Sequence, residues 1–277
     1  MPDLVQQSAH PPVDHGRVVR PATEVDVKSG ATDLLPIYLG KRTSERVLTG
    51  EAKRGTGEKI HAVIWLCDLR DSTLLSESMS IEDFFVLLSE FFDCTAGAVL
   101  NHGGEILSYI GDAVFAIFPI GESGTACISA ECACAAAVEA ARDASKRVEA
   151  LNQKRQQRGE PILKFGLALH VGDVMYGNIG VPQRLQFTVI GAAANEAARL
   201  AGLCKTLRQP VLISSAFLHC FPNQMISVGF HRLRGVKHSQ EIFTLSDDGL
   251  TQTPAIIPDG RLRRRQGRAQ RPSPTCA

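Results

Sequence analysis

Apolar and polar positions fall in blocks along this chain, and the period changes from block to block. Ala62–Leu69 (AVIWLCDL) is almost continuously apolar and partly β-branched, which predicts a buried central strand. The polar turn Arg70–Thr73 ends it. From Ser80 the period becomes helical, with Ile81, Phe84, Phe85, Leu88, Phe91, Phe92 and Thr95 close to i, i+3, i+4, i+7 spacing. Ser80 with Asp83 is a variant capping box, and Gly103–Gly104 stop the helix. Glu105–Ile110 (EILSYI) and Ala113–Phe118 (AVFAIF) then read as two strands separated by Gly111–Asp112 alone, the mark of a tight hairpin. An alanine-rich helix is predicted over Thr125–Gln157.

A second strand-rich block starts at Leu163. It predicts strands over 163–171 and 174–179, broken at Gly172–Asp173, and a third at Leu185–Ile190. A helix follows over Ala192–Leu207, then a strand at Pro210–Ser214 and a last pair at Phe230–Leu233 and Ile242–Leu245. There is no internal repeat. This order predicts an α+β sandwich, an antiparallel-rich sheet covered by helices, over residues 60–247. Residues 1–59 hold Pro11, Pro12, Pro21 and Pro36 and only a short helical hint at Thr43–Glu51. They read as an extended lead-in, regulatory or partly disordered, with Leu34–Leu39 as its docking segment.

Composition adds exclusions. The 277 residues are 44% hydrophobic, which suits one ordinary domain plus tails. Lys and Arg number 30 against 29 Asp and Glu, so no nucleic-acid partner is expected for the protein as a whole. The basic stretch Arg261–Arg271 in the tail 248–277 reads as disordered and solubilising, with phosphate or membrane contact as the alternative. No run is long enough for a transmembrane segment, and the N-terminus lacks a signal peptide's basic start and apolar centre. A cytoplasmic location is expected. The eight cysteines form no CxxC pair and no ligand-like spacing, so neither a zinc site nor a disulfide frame is expected.

Three groups of residues carry chemistry. Asp68 ends the most buried strand and Asp112 tips the hairpin. If the two strands pack together, two like charges converge, and a hard divalent cation between them would offset their repulsion. Taken singly, Asp112 also reads as a turn former and Asp68 as a cap. Leu69, Arg70, Asp71, Ser72 and Thr73 form a short polar turn whose amides can cradle phosphates, as many strand–helix turns can. Asn195 and Arg199, four apart on one helix, reach out of a surface of small residues. There the arginine can neutralise charge on a phosphoryl group.

Jointly, CDLRDST at Cys67–Thr73, GGEILSYIGDAVFAIF at Gly103–Phe118 and FTVIGAAANEAARL at Phe187–Leu200 resemble the class III adenylate/guanylate cyclase catalytic domain. The resemblance covers about residues 60–247 and implies a ferredoxin-like, palm-like sandwich. It implies that Asp68 and Asp112, with the Leu69 carbonyl, hold two Mg²⁺ or Mn²⁺ ions per site, and that the amides of 69–73 hold the triphosphate of ATP. It also implies that Asn195 orients the ribose, that Arg199 stabilises the transition state, and that Thr188 reads the purine. Arg234 or Lys237 would contact the terminal phosphates. The expected assembly is a homodimer with the aspartates of one subunit facing the Asn/Arg pair of the other.

The sequence departs from the family at Ser108, where a purine-reading lysine is usual, and in GAAAN, where many relatives have GDxVN. Active adenylate cyclase is the expected function. The alternatives are a guanylate or mixed-specificity cyclase, and a catalytically weak nucleotide-binding module. A diguanylate cyclase is a further rival, but it has no counterpart of Asn195 and Arg199.

Overall fold

The computed structural model describes residues 31–246 except 52, 124, 125, 223, 224 and 237. The expectations for residues 1–30, Thr125, Lys237 and the basic tail lie outside the described residues. In chain order the elements are helices α1 (Ala31–Leu39) and α2 (Lys41–Leu48), strand β1 (Gly57–Leu69), helices α3 (Ser72–Ser78) and α4 (Ile81–Asn101), strands β2 (Glu105–Ile110), β3 (Ala113–Ser123) and β4 (Ala126–Ile128), helix α5 (Ala130–Gln157), strands β5 (Phe165–Val181) and β6 (Arg184–Ile190), helix α6 (Ala192–Leu207), strand β7 (Val211–Ser214), helix α7 (Ser215–Cys220), and strands β8 (Met225–His231) and β9 (Gln240–Leu245).

The main path of the sheet runs β2-β3-β1-β5-β7-β9-β8, with β4 on β3 and β6 on β5. Every pairing is antiparallel except β5 with β7. The expected α+β sandwich is therefore present. Strand side chains alternate between faces, and β1 shows why its run is so apolar. Val63, Trp65, Cys67 and Leu69 join a core with residues of α4, α5 and α7. Ala62 and Ile64 join a second cluster with Ala193 and Ala197 of α6. Both faces are covered, and both must be apolar. Each fully buried aliphatic side chain, such as Leu169 or Leu87, stabilises the fold by about 2 kcal/mol.

The expected helix over the Phe84–Phe92 pattern forms, and Ser80 caps it by accepting a hydrogen bond from the Asp83 amide. Its buried face is Leu87, Phe91, Cys94, Thr95, Ala98 and Val99, while Ile81 and Phe85 are exposed.

Several boundaries differ from expectation. The strand expected at Phe230–Leu233 lies at Met225–His231, where it pairs with β9, and β1 opens at Gly57, ahead of Ala62. The break at Gly172–Asp173 does not occur: β5 runs on, with Gly172 opposite Ala62 and Asp173 opposite His61. Gly172 serves a close approach, since a Cβ there would stand 2.6 Å from the Ala193 Cβ of α6. The alanine-rich helix starts at Ala130, because Ser129 caps it through the Cys132 amide and residues 126–128 pair with β3 instead. The lead-in is helical over Ala31–Leu39 despite Pro36, whose missing N–H forfeits one helical bond. Within α2, Thr43 and Ser44 are buried. No helix among the described residues is long and apolar enough to cross a membrane.

Candidate active site

Asp68 continues the row Ala62, Ile64, Leu66 towards the α6 side of the sheet, at the last turn of the β1 pleat. In the β1–β3 register it pairs with Ala113, the residue after Asp112. The hairpin therefore delivers Asp112 beside Asp68. Its glycine partner is at φ 62°, a left-handed conformation that a side chain would strain. Burial pushes the Asp68 carboxyl up to about 6, Arg70 opposes that rise, and the Asp112 charge adds to it. Asp68 Oδ1 is buried and has no hydrogen-bond partner, although Arg70 Nη1 forms an ion pair with it at 3.2 Å and donates to Oδ2 at 3.4 Å. A buried, unbonded carboxylate oxygen beside a second carboxylate is the donor chemistry a hard cation takes. The group is small: no cluster of three or more His, Cys, Asp or Glu side chains forms a metal site among the described residues. Two carboxylates and backbone oxygens such as that of Leu69 are what this place offers.

The turn after β1 is more tightly built than its sequence suggests. Leu69 is buried and pairs with Phe165, and the Arg70 amide donates to the Lys164 carbonyl at 2.7 Å. The Arg70 side chain turns inward. Its Nη2 donates to the Ala201 carbonyl of α6 at 2.6 Å, and its Nη1 lies 3.2–3.4 Å from the Asp68 carboxylate. Gly166, opposite Asp68 on β5, makes room for it: a Cβ there would stand 1.6 Å from Arg70 Nη2. Asp71 adopts a left-handed conformation (φ 57°, ψ 28°) and gives its carboxylate to Lys205 at 2.9 Å. It thus leaves the first turn of α3, with Ser72 and Thr73, without a side-chain cap.

Asn195 and Arg199 occupy the exposed face of α6, whose other face packs Ala193, Ala197 and Leu200 against the sheet. The Arg199 guanidinium lies against Gly235, 3.4–3.6 Å from where a Cβ would stand, so the turn carrying the exposed Arg234 closes over it. Neither arginine has an acidic partner among the described residues. Ser108, half-buried on β2, is paired with Phe115 just after a register shift. Thr188, also half-buried, faces Gly177 across the β5–β6 ladder. One chain thus brings Asp68, Asp112 and the 69–73 turn together and, separately, Asn195 with Arg199 and Arg234. Sequence reading missed Gly166, Ala201, Lys205 and Gly235, which no spacing along the chain connects to the site.

No protein-family model matches the chain. It is 36% identical over 149 residues to Adenylate cyclase 1 of Rhizobium meliloti (strain 1021), covering 54% of this chain and 22% of that protein. It is 32% identical over 162 residues to an adenylate cyclase of Anabaena cylindrica, covering 58% of this chain and 31% of that protein. The chain therefore spans between about a fifth and a third of the length of these relatives. Among solved structures, a bacterial light-regulated adenylyl cyclase shares the fold with a TM-score of 0.66 at 22% identity, covering 78% of this chain and 60% of that one. The guanylyl cyclase Cya2 superposes with a TM-score of 0.58 at 25% identity, covering 68% of this chain and 92% of that one. In sequence the chain is similar to named adenylate cyclases and in fold to solved adenylyl and guanylyl cyclases, and the two together support a cyclase catalytic domain of the class III type.

Proposed function

We propose that the protein is an adenylate cyclase that converts ATP into 3′,5′-cyclic AMP and pyrophosphate for intracellular signalling, acting in the cytoplasm as a homodimer. The observation that carries this reading is the unbonded, buried Asp68 oxygen next to the Asp112 carboxylate. Those two side chains and the Leu69 carbonyl would hold two Mg²⁺ or Mn²⁺ ions. Held there, such ions would supply Lewis acidity to the ribose 3′ hydroxyl and to the leaving pyrophosphate. The 3′ oxygen then attacks the α-phosphorus, the bond to the β-phosphate bridging oxygen breaks, and the hydroxyl proton passes to solvent.

The chain's own residues orient that exchange. The amides beyond Arg70, at Asp71, Ser72 and Thr73, bind the triphosphate, since the Arg70 amide is taken by the Lys164 carbonyl. Asn195 holds the ribose, Arg199 meets charge developing on the α-phosphoryl group, and Arg234 meets the terminal phosphates. Ser108 and Thr188 line the purine pocket. The homodimer is the arrangement the family resemblance implies, and it is supported by Arg199 making no ion pair with Asp68 or Asp112 of its own chain. A second copy in two-fold arrangement supplies the missing half of each site.

ATP is preferred over GTP in this reading because two of the similar curated proteins are named adenylate cyclases. The purified 277-residue chain incubated with Mg²⁺ or Mn²⁺ and either nucleotide, with products separated by chromatography, tests it. Cyclic AMP as the main product is expected. Cyclic GMP as the main product would overturn the substrate assignment. Absence of both would reduce the protein to a nucleotide-binding module.

A further inference from the structure

The Arg70 side chain does not extend from the turn into solvent, where a triphosphate would meet it. It occupies the space between β1, β5 and α6, with 14% of its side chain exposed. Three features define that space. Gly166 lacks the Cβ that would fill it, the Ala201 carbonyl accepts from Nη2 at 2.6 Å, and the Asp68 carboxylate lies 3.2–3.4 Å from Nη1. A carbonyl oxygen has two lone pairs, so Ala201 can accept from Arg70 without leaving the helical ladder. A second tie runs in parallel on the surface, from Asp71 to Lys205. It is exposed and weak, as such pairs are. The turn that carries the metal-side carboxylate is therefore joined to the helix that carries Asn195 and Arg199.

We propose that Arg70 is a positioning residue that fixes the Asp68 carboxylate against α6 of the same chain, not a ligand of the substrate phosphates. The proposal rests on the cyclase reading above, and in the dimer it has a further consequence. Because α6 of one subunit serves the opposite site, the Arg70 bridge ties the metal half of one site to the Asn/Arg half of the other. Only a planar guanidinium makes both contacts at once. A lysine in its place presents a single point charge and loses one of them.

Three variants of the 277-residue chain test this: Arg70→Lys, Arg70→Met and Gly166→Ala. The last leaves the arginine intact but puts a methyl group where its guanidinium sits. Hydrogen exchange of the metal-free protein is read first, followed by steady-state kinetics with Mn²⁺ and ATP. All three variants should exchange faster in the 69–73 turn and the second half of α6, while α4 and α5 remain protected. In all three, kcat should fall between about tenfold and a hundredfold. KM should stay within about threefold. Gly166→Ala added to Arg70→Met should cost little more than either alone, because both remove the same bridge. Unchanged exchange in α6 overturns the proposal. So does a rise in KM at constant kcat in the Arg70 variants, the signature of a lost phosphate contact. A wild type that makes no cyclic nucleotide would refute the cyclase reading, and the exchange data would still decide the bridge.

Discussion

Asp68 is pulled in opposite directions by its surroundings, and that can be read in solution. Burial and the Asp112 charge raise its carboxyl from 3.8 to about 6, and Arg70 only partly compensates. A carboxyl with a higher pKa in the folded than in the unfolded state binds its proton more firmly when folded. Its contribution to stability is full below the unfolded value and is lost as pH rises through the folded one. Asp68→Asn, which carries no charge at any pH, should therefore raise the melting temperature of the metal-free protein by a few degrees at about pH 7.5. The gain should vanish towards about pH 4. A gain of equal size at both pH values would place the strain elsewhere. In activity the effect runs the other way: Asp68→Ala and Asp112→Ala should each lower kcat by at least about a hundredfold while the fold stays intact. Ser108 makes a subtler residue-level case. Its short hydroxyl offers the purine less than a lysine would, so Ser108→Lys should sharpen the preference for ATP over GTP and lower KM. A wild type already highly selective, and made worse by the lysine, would shift base reading to Thr188.

At the scale of elements, the site depends on how closely α6 lies on the sheet. Gly172 on β5 permits that approach, and a Cβ there would stand only 2.6 Å from Ala193. Gly172→Val should push the helix outward, costing about 1–3 kcal/mol of stability and reducing activity more than the stability loss explains. Denaturant unfolding beside kinetics would separate the two effects. A variant with wild-type stability would mean that α6 has slack against β5. Another element-level contact sits at the far end of the sheet. The guanidinium groups of Arg42 and Arg46 on α2 lie 4.8 and 5.6 Å from the ring centre of Tyr176, and both pair with Glu58. The Tyr176 hydroxyl donates to Glu105 at 2.6 Å. This network seats the short, polar helix α2 on the sheet.

For the whole molecule, the separation of the two half-sites makes a distinct prediction. Asp68→Ala spoils the metal half of each chain and Arg199→Ala the other half. When the two inactive proteins exchange subunits, half of the dimers are mixed, and each mixed dimer rebuilds one of its two sites. Roughly a quarter of wild-type activity should return at equal mixing. No recovery, with exchange confirmed by labelled subunits, would place complete sites within single chains.

The sequence alone determined the secondary elements wherever periodicity and caps agreed. β1, α4, the β2–β3 hairpin and α6 each follow from a local pattern in which burial, capping residue and turn glycine point the same way. Asp68, Asp112, Asn195 and Arg199 were visible because turns and helix spacing place them at element ends or on one exposed face. Only tertiary structure decided what lies between those elements. Gly172 looks like a strand breaker in sequence, and only the neighbouring α6 makes it a packing glycine inside a continuous β5. Arg70 looks like an exposed turn residue, and only a space framed by Gly166 and Ala201, 96 and 131 positions further along the chain, turns it inward. Local patterns record a residue's relation to its own helix or strand, while a side chain's partner across the sheet is set by strand order and register, which no short window of sequence contains.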